Sequence, residues 1–77
     1  MNQNPKKKLP NAPSKKQAVD IFLRAGITYR RIQTTINDII REHRDLPKDI
    51  QVRAKQISEK EFEEVVETFG MPKGYDW

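Results

Sequence analysis

Residues 26–44 read GITYRRIQTTINDIIREHR. Ile32, Ile36, Ile39 and Ile40 recur at the i, i+4, i+7, i+8 spacing that puts apolar side chains on one face of a helix. At 100° per residue the opposite face carries Arg30, Gln33, Thr34, Asn37, Arg41 and Arg44, with Asp38 and Glu42 to one flank. Arginine, glutamine, threonine and asparagine read base edges and hold phosphates. The same pattern also describes an ordinary amphipathic helix with a solvated polar face. Thr28 caps this helix, Ile27 packs inward from the turn, and Asp45-Leu46-Pro47 ends it, because proline disfavours helical geometry in the residue before it. His43, near the end on the apolar side, reads as a half-buried side chain or a partner of the helix C-terminus.

Working outward toward the N-terminus, residues 14–25 form a first helix. Ser14 and Gln17 match a capping box. Ala18, Ile21, Phe22 and Ala25 share a face, Val19 and Leu23 widen it, and Gly26 suits the left-handed position that closes a helix. Residues 1–13, MNQNPKKKLPNAP, read as a flexible basic arm with too little apolar area to offset the entropy of ordering. Lys6, Lys7 and Lys8 in it can follow phosphates or enter a minor groove, or serve only as a solubilising tail.

Toward the C-terminus, residues 49–57 fit two patterns. Ile50, Val52 and Ala54 alternate as in a strand, whereas Ile50, Ala54 and Ile57 share a helical face. A lone strand finds no partner in the rest of the pattern, which favours a short helix. Residues 58–70 are the best specified. Ser58 and Glu61 form a second capping box, Ile57 and Phe62 a hydrophobic staple, and Phe62, Val65, Val66 and Phe69 a full apolar stripe before Gly70. Glu59, Glu61, Glu63, Glu64 and Glu67 read as its solvated face. The tail, residues 71–77, ends in Tyr75 and Trp77, aromatics expected to fold back onto the core.

The expected fold is therefore all-α. A single three-to-four-helix domain spans residues 14–70, with the flexible basic arm before it and the aromatic tail after it. At 77 residues and 35% hydrophobic content the core is small, and a chain of this size without cysteine gains from oligomerisation, so a homodimer is expected. Residues 1–44 hold ten Lys/Arg against three Asp/Glu, a charge of +7, while residues 45–77 sum to −3. A basic front half favours an anionic partner. No apolar run reaches membrane-spanning length, and no secretory signal opens the chain, so a cytoplasmic protein is expected.

The segment from Ala25 to Ile36 resembles the turn and recognition helix of helix-turn-helix DNA-binding domains. Such domains carry glycine, an aliphatic residue and Ser/Thr, then aliphatic residues a turn and two turns later. Gly26, Ile27, Thr28, Ile32 and Ile36 stand in those places. The resemblance implies that Tyr29, Arg30, Gln33 and Thr34 meet base edges in the major groove. Thr28 and Arg31 would touch phosphate, Arg41 and Arg44 would follow the DNA backbone, and Asn37 completes the exposed row. Phe22 stands where these domains usually have a small residue, and no helix precedes the first. The third side of the core must then come from helix 58–70 or from a second subunit.

With no cysteine, one histidine and no glycine-rich loop, neither nucleophilic catalysis nor phosphate cradling is legible, and no enzyme, cofactor or metal is expected. The expectation is a small DNA-binding regulator or accessory factor, by analogy with the compact basic proteins of phages and plasmids. Double-stranded DNA is the first partner, RNA is not distinguished from it, and a membrane role is not expected. The alternative is a protein-binding module or inhibitor acting through Glu63, Glu67, Tyr75 and Trp77.

Overall fold

The structure, a computed structural model, describes residues 7–77. Its elements run β1 (Lys7–Lys8), α1 (Lys15–Arg24), α2 (Tyr29–His43), α3 (Glu59–Phe69) and β2 (Tyr75–Asp76). Both capping boxes form, with the Ser14 hydroxyl accepting from the Gln17 amide and the Ser58 hydroxyl from the Glu61 amide. Thr28 caps α2 by accepting from the Arg31 amide.

The helices end as local chemistry dictates. After α1, Gly26 takes φ 95°, and the Gly26 and Ile27 amides donate to the carbonyls of Leu23 and Phe22. That is the Schellman arrangement, which answers carbonyls left free at a helix end. The same pair of bonds closes α2, from Asp45 to Glu42 and from Leu46 to Arg41, with Asp45 in the left-handed position at φ 53°.

α2 packs against both α1 and α3. The α2 isoleucines are all buried, together with Ala18, Ile21 and Phe22 of α1 and Phe62, Val65 and Val66 of α3. Phe22 is fully buried, with its ring centroid 6.5 Å from that of Phe62 and 5.0 Å from that of Phe69. α3 therefore supplies the third side of the core within one chain, and its aromatics occupy the space beside Phe22.

Three sequence expectations are corrected. First, from Lys7 onward the supposed arm is docked. β1 pairs in parallel with β2, Lys7 opposite Tyr75 and Lys8 opposite Asp76, while Leu9 and Pro13 are buried. The strand partner lies at the far end of the chain, so local composition does not reveal it. Residues 1–6, Lys6 among them, lie outside the described residues. Second, residues 49–57 form neither helix nor regular strand. They run as an extended loop with Val52 and Ile57 buried and Ile50 exposed. The loop is pinned by a single antiparallel bridge, Gln56 to Ser14, with Lys15 donating to the Lys55 carbonyl and Ile57 to that of Pro13. The described residues accordingly hold three helices.

Third, the α3 glutamates are not one solvated face. Glu61 is 2% exposed and is held by Arg44 at 2.8 and 2.9 Å. Glu64 meets the His43 ring at 2.6 Å. These two contacts tie the C-terminal end of α2 to α3. The tail folds back as expected, with Tyr75 against the core and the Trp77 ring edge-on to Phe62 at 6.0 Å.

Candidate nucleic-acid interface

The polar front of α2 divides into two parts. Its first turn is open. Thr28, Tyr29, Arg30, Arg31 and Thr34 are exposed, and no acidic residue lies in that turn. The Tyr29 hydroxyl accepts a 2.6 Å bond from the Gln33 amide, fixing the two side chains relative to each other. Arg31 lies 5.8 Å from the centre of the Phe69 ring, a cation–π distance that commits part of its guanidinium to the fold.

The rest of the row is taken up internally. Arg41 donates from both Nε and Nη2 to the Ile50 carbonyl and from Nη1 to Asp38. Arg44 donates to Glu61 and to the Gln56 carbonyl. Gln33 and Asn37 are half-buried, and Gln33 Oε1 and Asn37 Oδ1 have no hydrogen-bond partner among the described residues. Loop 46–57 lies across this part of the helix because its carbonyls need donors and the two arginines provide them. Arg41 and Arg44 are thus engaged by the loop and by α3. An unpaired buried oxygen costs stability, and a hydrocarbon of similar size does not. Asn37→Leu is therefore expected to leave the melting temperature unchanged or to raise it by a few degrees, read by circular dichroism.

The cations beside the open turn come from elsewhere. Ser14, the cap of α1, and Lys15, Lys16 and Val19 within it line a shallow groove with Tyr29 and Gln33 of α2 and with Ala54 and Lys55 of the loop. The groove continues along α1 past Gln17, Asp20 and Leu23. On the far side of α1, Lys7 and Lys8 share a depression with Gln17, Asp20 and Tyr75. Among the described residues the ion pairs are Asp20–Arg24, Asp38–Arg41, Glu64–His43 and Glu61–Arg44. Lys15, Lys16, Arg30, Arg31 and Lys55 enter none of them. Burial lowers the Lys15 amine from its ordinary value, and the positive charge of Arg41 lowers it further. Lys15, Lys16 and Lys55 thus stand along a groove that Tyr29 and Gln33 also line, with Asp20 the acid on its α1 side.

Lys15, Lys16 and Lys55 were not singled out from the sequence. For the first two a signal existed: lysines in the first turn of α1 sit at the positive end of the helix dipole, where a purely structural helix favours acids. Lys55 had none, since its position depends on the Gln56–Ser14 bridge. Of the residues in the alternative reading, Glu63 and Glu67 are exposed and share a depression with Val66 and Trp77. Tyr75 is half-buried and paired through its backbone in β2.

Among the described residues, no group of three or more His, Asp or Glu side chains is placed to hold a metal ion, and no helix is long and apolar enough to cross a membrane. Comparison with protein-family models, with characterised proteins and with solved structures found no match for this chain.

Proposed function

We propose that this chain is a non-enzymatic, DNA-binding regulator or accessory protein that contacts duplex DNA through the N-terminal end of α2 and the lysines around it. In this reading α1, the Gly26 turn and α2 act as a helix-turn-helix-like unit. Arg30, Thr34 and Tyr29 face the groove, and Lys15, Lys16, Lys55 and Arg31 hold the flanking phosphates. The observation that carries the proposal is the open first turn of α2, bare of acidic residues and holding Arg30 and Arg31, with Tyr29 sharing a groove with Lys15, Lys16 and Lys55; none of these cations has an ion-pair partner among the described residues. An exposed helix N-terminus is also the end that helix-turn-helix domains direct at base edges. Its amides favour anionic groups as well.

The binding surface differs from the one expected on sequence grounds. Gln33, Asn37, Arg41 and Arg44 leave the contact set, and the α1 and loop lysines enter it. Fluorescence anisotropy with labelled duplexes tests the reading. Affinity is expected to fall steeply with salt, because each neutralised phosphate releases counterions. Arg30→Ala should cost about 1–3 kcal/mol and relax sequence preference, whereas Lys16→Gln should weaken all duplexes alike and reduce the salt slope by about one. Absence of binding to any duplex at low salt would overturn the proposal.

A further inference from the structure

Two depressions that hold an exposed aromatic side chain are lined by opposite charges in this molecule. The groove on α1 has an apolar floor and edge in Val19, Leu23 and Tyr29, with Leu23 and Tyr29 exposed; Lys15, Lys16 and Lys55 stand around it, and the one acid lining it, Asp20, is paired with Arg24. The other is at α3, where Trp77 shares a depression with Glu63, Glu67 and the buried Val66. Trp77 remains 47% exposed even after packing on Phe62. Among the described residues none of these three lysines or two glutamates has an ion-pair partner. A large aromatic left this open is typical of a contact surface.

We propose that the groove of one molecule receives the Trp77 end of a second copy, with Glu63 and Glu67 meeting Lys16 and Lys55. Charge selects this pairing over the alternatives. Groove against groove would set lysine against lysine, and α3 against α3 would set glutamate against glutamate; both juxtapositions are penalised at an interface. Only groove against acidic end joins apolar surface to apolar surface and opposite charge to opposite charge. The contact is reciprocal if two molecules can make it at once and head-to-tail if they cannot. It does not rest on the DNA-binding reading, but the two occupants share the same lysines, so DNA and self-association compete.

Sedimentation velocity without nucleic acid tests it, on wild type and on two charge-reversed variants, one carrying Glu63→Lys and Glu67→Lys, the other Lys16→Glu and Lys55→Glu. The wild type is expected to associate reversibly and to weaken as salt rises. Each variant alone should be monomeric, since its two ends now carry like charge. Mixing the two restores complementarity, so association should return in the mixture. That recovery cannot come from variants that fail to fold. A wild type that stays monomeric at its solubility limit would overturn the proposal. So would a mixture that stays monomeric while the wild type associates.

Discussion

Phe22→Ala is expected to remove most of the stability of this protein. The Phe22 side chain is fully buried at the junction of all three helices, contacting the rings of Phe62 and Phe69. Truncating a buried phenylalanine costs about 3–5 kcal/mol, the lost transfer energy plus the cavity left behind. A domain of this length holds roughly 4–11 kcal/mol in total. The substitution therefore consumes a large share of it, and at about 4–8 °C per kcal/mol the melting temperature should fall by about 12 °C or more. Thermal unfolding followed by circular dichroism at 222 nm checks this. A loss of only a few degrees would mean that α3 does not close over α1.

The second large effect belongs to the Arg44–Glu61 pair. Burial pushes the Glu61 carboxyl up, but hydrogen bonds from Arg44 and from the Ser58 backbone and side chain, with the positive charge of Arg44, together outweigh it and hold the group below its ordinary value of 4.5. The Arg44 guanidinium is held above its own ordinary value, chiefly by the hydrogen bond to Glu61. Arg44→Met leaves a carboxylate with 2% exposure lacking its main partner. Removing one member of a fully buried pair costs about 3–5 kcal/mol. The Arg44 side chain is 38% exposed, so solvent screening reduces this to about 2 kcal/mol.

The pH dependence follows from the direction of the Glu61 shift. A carboxyl with a depressed folded pKa stabilises fully above its unfolded value of 4.5, and that contribution is lost as pH falls through the folded pKa. The wild-type contribution of Glu61 is therefore constant above pH 4.5, and the gap to Arg44→Met, whose Glu61 keeps the burial but loses the arginine, should narrow as pH falls from neutrality into acid, through the range between the Glu61 pKa of the variant and that of the wild type. Denaturant titrations at several pH values read it directly. A gap that stays constant into strong acid would mean that the arginine stabilises through packing alone.

The helices were legible in the sequence because their determinants are local. The capping boxes at Ser14 and Ser58, the Gly26 and Gly70 stops and the α2 isoleucine stripe all lie within a few residues of what they specify. What the sequence did not reveal depends on partners distant along the chain. Lys7 and Lys8 are ordered by Tyr75 and Asp76. Gln56 finds a bridge partner in Ser14, so residues 49–57 need be neither helix nor free-standing strand.

The candidate site was half legible for the same reason. Periodicity identified which α2 side chains point away from the isoleucines, but it could not show that loop 46–57 would cover the later ones. Arg41 and Arg44 looked like phosphate contacts because an arginine on a polar helix face has one signature, whether its partner is a phosphate or a backbone carbonyl. Tyr29, Arg30 and Thr34 remain open because the loop lies along the later part of the helix.

In the proposed function the N-terminal end of α2 meets DNA, and amide chemical-shift mapping tests that proposal most directly. A 77-residue chain suits a two-dimensional nitrogen–proton spectrum, followed as a short duplex is added at low salt. The expected result is a set of shifts confined to Lys15, Lys16, the Gly26 turn, Tyr29 to Thr34 and Lys55, with Arg41, Arg44 and the exposed face of α3 unmoved. Shifts concentrated on Asn37, Arg41 and Arg44, or on α3, or no shifts at all, would contradict it.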